Sequence, residues 1–302
     1  MRNTLLILAL MISLSFTQRG LTYKEIKYGE TLVLTYDNNH GVIDWDNAGR
    51  NIVFESGEEN AKKIFYLNLY DLPINFSRNG FHSAKYVHEL VDKYRVYVPL
   101  VGAKDTSFIS PKWNITGNKI LSIGKSKDEN EIFITSKNTR ITKASGLKNI
   151  ETAHWKNDSV LYLVFKDNMK QLVEFNRFDK KNEVLIETDH PITGISKQFN
   201  SLFLACNGGT YKYAFNNKTL TWYKLPINGK TVYQLGRLNF VGLNTNGSAQ
   251  VLDLNNAISY PFSVGEKDGP PAISKNKKFV AFYSGYVNGI VVKRIDKKFY
   301  LE

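Results

Sequence analysis

The chain has 302 residues and a formal net charge of +12, from 40 Lys and Arg against 28 Asp and Glu. Hydrophobic residues make up 42% and aromatic residues 13%, enough for a large core, so a globally disordered chain is excluded. The only cysteine, Cys206, rules out an intramolecular disulfide, and the apolar run Leu202–Cys206 around it reads as a strand holding an inert buried thiol.

Residues 1–17 read as a secretory signal peptide. Arg2 supplies the positive start, Leu5 to Leu14 the apolar run, and Ser15-Phe-Thr17 a small-x-small cleavage site before Gln18. The run is too short to span a bilayer comfortably. No cysteine follows it, so lipid attachment there is excluded. The expected product is one domain over 18–302, secreted or periplasmic, with no transmembrane segment. Its first element is the alternating strand Thr31-Leu-Val-Leu-Thr-Tyr36.

From residue 45 a short phrase recurs: Trp45-Asp-Asn-Ala-Gly49-Arg-Asn-Ile52, Trp113-Asn-Ile-Thr-Gly117-Asn-Lys-Ile120 and Trp155-Lys-Asn-Asp-Ser159-Val-Leu-Tyr162. Weaker copies start at Ile195, Tyr233 and Ile273. The starts at 45, 113, 155, 195, 233 and 273 are 68, 42, 40, 38 and 40 residues apart. A period near 40 suits a four-stranded propeller blade. A second marker, an alternating strand, lies fifteen to nineteen residues into each unit: Ile64–Leu69, Glu131–Thr135, Gln171–Phe175, Thr210–Phe215, Ala249–Leu254 and Gly289–Ile295. Two markers at a similar offset in six units predict an all-β, six-bladed β-propeller of four-stranded antiparallel blades. The strand within 21–36 is expected to close the ring against 289–301, removing exposed sheet edges. The register positions Trp45, Trp113, Trp155, Ile195, Tyr233 and Ile273 read as packing positions between blades.

The first step exceeds the others by about 28 residues, which marks an insertion over about 73–107, placed after blade 1. Within it, Ala84, Val87, Leu90, Val91 and Tyr94 fall on one face of a helix capped by Ser83. Such an insertion decorates one blade or docks a partner, and its polar residues Arg78, His82, Lys85, His88 and Arg95 are the candidate binding residues. Residues 273–302 are the most basic stretch, with Lys275, Lys277, Lys278, Lys293, Arg294, Lys297 and Lys298 against Asp296 and Glu302. This surplus reads as a solvated surface, and it also favours anionic partners by long-range steering.

The Trp-x-x-x-Gly turn before an apolar strand, with Ser110-Pro111 ahead of Trp113, resembles the WD40-like (PD40) repeat of TolB-type periplasmic propellers over roughly residues 42–302. The resemblance implies the propeller fold. The Pro-Asp pair of that family's turn is absent and the last three units have no Trp. The stretch between the signal and Trp45 reads as too short for the extra domain that TolB carries, so that family's partners are not implied.

No Gly-x-Ser-x-Gly elbow occurs, and His40, His82, His88, His154 and His190 lack metal-ligand spacing. Asp44-x-Asp46-Asn47-x-Gly49, with Glu55 at the twelfth position, has a partial calcium-loop pattern, but a turn accounts for the same residues. No catalytic residue, metal or cofactor is therefore assigned. The Asn-x-Ser/Thr sequons at Asn75, Asn114, Asn157, Asn217 and Asn246 matter only in a eukaryotic secretory route. The expected function is an exported, non-enzymatic binding module for a protein or an anionic envelope or glycan ligand, and export argues against nucleic acid. The alternative is a propeller glycosidase or lyase with acids converging on the channel.

Overall fold

A computed structural model of the chain describes residues 31–34, 41–58, 60–69, 75–77, 80–82, 96–97, 106–126, 129–138, 142–263 and 267–300. It is an all-β, six-bladed propeller. After β1 (Thr31–Val33), blade 1 holds β2 (Ile43–Trp45), β3 (Asn51–Ser56), β4 (Lys63–Asn68) and, beyond the hairpin β5 (Asn75–Ser77) and β6 (Gly80–His82), β7 (Val96–Tyr97). Blade 2 holds β8 (Ser107–Trp113), β9 (Lys119–Lys125), β10 (Asn130–Ser136) and β11 (Thr142–Lys148). Blade 3 holds β12 (Ile150–Trp155), β13 (Val160–Phe165), β14 (Asn168–Asn176) and β15 (Lys181–Glu187). Blade 4 holds β16 (Gly194–Gln198), β17 (Ser201–Cys206), β18 (Gly209–Ala214) and β19 (Thr219–Lys224). Blade 5 holds β20 (Ile227–Gln234), β21 (Asn239–Asn244), β22 (Ala249–Asp253) and β23 (Ile258–Pro261). Blade 6 holds β24 (Ala272–Ile273), β25 (Phe279–Ser284) and β26 (Gly289–Arg294), and β1 is its fourth strand, with Leu32 opposite Val292. The first strand of each blade lies against the first strand of the next, and β24 lies against β2.

The second strand of every blade is predominantly apolar because both of its faces are buried, with Ser122 in blade 2 and Gly242 in blade 5 as small interruptions. Ile52 and Phe54 pack against blade 6 while Val53 faces blade 2. Leu161 and Leu163 face blade 2 while Tyr162 and Val164 face blade 4. Leu202 and Leu204 face blade 3, and Phe203 and Ala205 face blade 5. The core is thus six inter-blade clusters, one per interface. Each fully buried Ile, Leu or Phe contributes roughly 1.5–3 kcal/mol. Close approach of the first strands of blades 4 and 5 is possible only because residue 194 is glycine: a Cβ there would lie 1.7 Å from the Lys230 carbonyl oxygen.

The recurring phrase is the turn between the first and second strands. The residue after the register position caps it: Asp46 Oδ1 accepts from the Arg50 and Asn51 amides, and Asn114 Oδ1 from the Asn118 and Lys119 amides. Ser274 Oγ accepts from the Phe279 amide. Four residues after the register position the chain turns left-handed, with φ of 69° at Gly49, 68° at Gly117 and 60° at Lys277. Glycine adopts that conformation without steric cost.

Two features differ from the sequence reading. The insertion does not follow blade 1. Because β7 pairs with β4, the extra residues lie between the third and fourth strands of that blade. The described part of the insertion is strand, not helix. The expected helix over 83–94 lies outside the described residues, and among those described the sole helical element is a 3-10 turn at Lys297–Phe299. No described helix is long and apolar enough to cross a membrane.

The register also slips in three blades, in blade 3 by one residue, so that Trp155 stands opposite Leu161 and not Tyr162. Trp45, Trp113 and Ile273 stand opposite Ile52, Ile120 and Val280. In blade 4 a two-residue turn at Phe199-Asn200 tightens the hairpin, so Lys197 stands opposite Leu202 and Ile195 sits two positions further up, opposite Leu204. In blade 5 Tyr233 turns toward blade 6 and Val232 packs on blade 4. A slip of one residue reverses the face a strand residue presents, whereas a slip of two preserves it.

Candidate binding site at the axial mouth

Where the six innermost strands end, a cavity of about 390 Å³ opens on the ring axis. One residue from each blade forms its wall: Trp45, Trp113, Trp155, Lys197, Tyr233 and Ile273. A second cavity of about 390 Å³ adjoins it through Trp45, Asn47, Phe199, Ser274 and Lys275, and reaches Leu69 at the start of the insertion. The volume of the axial cavity falls within the range of small-molecule sites.

The wall is aromatic, and its inner layer is polar. Asp44 Oδ2 accepts from the Trp113 amide at 2.9 Å, and Oδ1 lies 3.7 Å from Lys112 Nζ. Burial raises the Asp44 carboxyl above its ordinary range, and Lys112 opposes that rise. The His154 imidazole is pushed down to about 3, first by burial and then by Lys112, with Lys197 adding to the effect, so it is neutral at ordinary pH. Burial also lowers Lys197, whose Nζ donates to the Lys156 carbonyl at 2.6 Å. The Tyr233 hydroxyl is raised by burial and by Asp44. Asp46 also lines the cavity, but its carboxylate is occupied by the turn amides and by the Asn51 side chain at 2.5 Å.

Three wall indoles make different bonds. Trp45 Nε1 donates to the Ala272 carbonyl at 3.1 Å, and Trp155 Nε1 to the Lys112 carbonyl at 3.0 Å, each reaching one blade back. Trp113 Nε1 is buried without a hydrogen-bond partner, as is Lys112 Nζ. At the rim, Phe199 is 65% exposed and Ile115 41%. Lys275 is exposed beside them, and Lys277 Nζ lies 5.9 Å from the Phe199 ring centroid.

Of the residues singled out from sequence, Trp45, Trp113, Trp155, Tyr233 and Ile273 line the mouth, and Ile195 is buried in the interface with blade 3. Arg78, Lys85, His88 and Arg95 lie outside the described residues; His82 falls in β6, where only the backbone is described. Asp44, Asp46 and Glu55 hold separate partners. Glu55 accepts from Lys62 Nζ and the Ser110 amide, each at 2.7 Å, so the calcium-loop reading is not supported. Among the described residues, no three His, Cys, Asp or Glu side chains converge. His190 stacks on Trp222 with 4.4 Å between centroids. Sequence reasoning missed Lys112, His154 and Lys197 as a group. Lys112 and His154 each directly precede a register Trp, and that position was the available signal.

These features define a six-bladed β-propeller with a polar axial cavity. No protein-family model and no curated protein matches the chain. Solved structures do. TolB from Acinetobacter baumannii is similar with a TM-score of 0.50 and 9% identity over 89% of this chain and 65% of that one. The β-propeller domain of Myceliophteria thermophila Cps50 (Swd1) gives a TM-score of 0.52 and 8% identity over 86% of this chain and 97% of that one. An oligogalacturonate lyase in complex with manganese gives 0.50 and 11% over 89% and 90%. The chain thus spans less than two thirds of that TolB. At these identities the likeness is one of fold alone.

Proposed function

We propose that this protein is an exported, non-catalytic propeller that binds its partner at the axial mouth. The observation that carries this reading is a cavity to which all six blades contribute, rimmed by exposed Phe199 and Ile115 and by lysines. Rigid rings with variable loops on one face serve well as binding scaffolds. The partner is a protein or an anionic envelope or glycan ligand. Pairing of β1 with β26 supports reading the N-terminal strand as the one that closes the ring. Arg78, His82, Lys85, His88 and Arg95 of the insertion are kept as a second set of candidate binding residues, on the sequence reading alone.

The lyase or glycosidase alternative needs two carboxylates free to act on one substrate. Asp46 is committed to its turn, and Asp44 is held by the Trp113 amide beside Lys112, so that alternative is not favoured. The test is a photo-crosslinking residue placed at 199, compared with one at exposed Val184 on an outer strand. Envelope or culture-fluid material that crosslinks from 199 and not from 184 supports the reading. Equal labelling from both, or turnover of an acidic polysaccharide panel by the purified protein, overturns it.

A further inference from the structure

The axial mouth has more donors in and directly behind its wall than its own acceptors use: Trp113 lines the cavity, and Lys112 lies behind the lining residue Asp44. Lys112 and Trp113 are each only 4% exposed, and neither the ammonium nor the indole N–H has a hydrogen-bond partner. A buried unmade donor is costly, and a buried ammonium more so. The Trp113 indole departs from the pattern of the other two. Trp45 and Trp155 donate to the carbonyl just before the register residue of the preceding blade, Ala272 and Lys112 respectively. For Trp113 the corresponding residue is Asp44, which engages the Trp113 main-chain amide through its carboxylate instead. The indole N–H of Trp113, a residue of the cavity wall, is left without a partner. Lys197, from the slipped strand of blade 4, lines the same cavity two blades on from Trp113.

Asp44 offsets part of the positive charge, but at 3.7 Å from Lys112 Nζ it makes no hydrogen bond to it. His154, between the two lysines in its electrostatic surroundings, is a neutral ring with one nitrogen already engaged by the Trp155 carbonyl at 3.0 Å. Acceptors for an ammonium and an indole N–H are what the site lacks. An oxyanion supplies several in one compact group and interacts favourably with both lysines. Neutral hydroxyls would meet the donors without balancing the charge.

We propose that the axial mouth seats a small ligand bearing an oxyanion, with the anionic group toward Trp113 and Lys197, in the field of Lys112 behind Asp44, and the remainder against the aromatic wall. This deepens the mouth-binding reading and rests on it. The test is calorimetric titration of the mature protein with four probes: glucuronate, glucose 6-phosphate, inorganic sulfate and neutral glucose. Lys197→Met is the principal variant because Lys197 is half-buried, and its fold is checked by circular dichroism. Lys112→Met is the second.

Binding of glucuronate, glucose 6-phosphate or sulfate, at least about tenfold weaker in Lys197→Met, supports the proposal. Which of the three binds identifies carboxylate, phosphate or sulfate as the source of the oxyanion. A second readout is the His154 ring in NMR: a seated anion raises its titration from about 3, and glucose leaves it unchanged. No binding by any anion at millimolar concentration overturns the proposal. So does anion binding that is unchanged in both variants, or glucose binding as well as glucuronate. If crosslinking from residue 199 still succeeds in those cases, mouth binding stands and only the oxyanion is lost.

Discussion

The indole N–H of Trp155 donates to the main-chain carbonyl of Lys112 at 3.0 Å, across the interface between blades 3 and 2. Trp45 makes the same bond to Ala272, from blade 1 to blade 6. Trp113 does not, and its indole is a buried donor with no partner. Replacing each by Phe removes nearly the same volume, so the difference isolates the bond. Trp155→Phe is expected to cost about 1–3 kcal/mol more than Trp113→Phe in urea unfolding, because it orphans a carbonyl while the other removes an unmet donor. Equal costs would show that the indole bonds do not couple the blades.

The turn and close-approach glycines separate two costs. Gly117 has φ of 68°, and no atom lies closer than 3.5 Å to the place a methyl group would take, so Gly117→Ala is expected to lose only about 1–2 kcal/mol of backbone origin. Gly194→Ala would place its methyl 1.7 Å from the Lys230 carbonyl oxygen and is expected to abolish soluble expression. Thermal melts and expression yields of the two variants check both outcomes.

The Cys206 thiol is buried and pushed up to about 12 by burial alone. Since the thiolate is the reactive form, native protein at pH 8 should stay unlabelled by a thiol-disulfide reagent for hours. One equivalent should react at once in denaturant. Rapid native labelling would mean that blade 4 opens readily.

His154 makes stability depend on pH with a definite sign. The unfolded imidazole takes a proton near 6.5 and the folded one only near 3, so its contribution is fully present above 6.5 and is lost as pH falls toward 3. The slope in that window is at most about 1.4 kcal/mol per pH unit, and less for a half-buried ring. Asp44 and Asp268, both raised by burial, act with the opposite sign over the acidic part of the range. Urea melts of wild type and His154→Asn at pH 7, 5.5 and 4.5 isolate the histidine: the wild type should lose more stability on acidification than the variant.

The repeat was legible because its causes are local. A polar residue that caps a turn, a left-handed residue three places further on and a strand buried on both faces act within about ten residues, so Trp45-Asp46…Gly49 and Trp113-Asn114…Gly117 read alike in sequence and in space. From these the blade count and the third strands at Ile64, Glu131 and Gln171 followed. The mouth was not legible in the same way. Asp44, Lys112, His154 and Lys197 come from four blades and meet only when the ring brings the first strands together. The slip that puts Lys197 in the wall, and the one that turns Tyr233 toward blade 6, arise from hairpin pairing that a seven-residue count cannot see. Sequence alone determined the blade, since side-chain period and turn chemistry are properties of neighbouring residues. Only the tertiary structure decided the cavity, because its charge and unmet donors depend on which residues of distant blades share the axis.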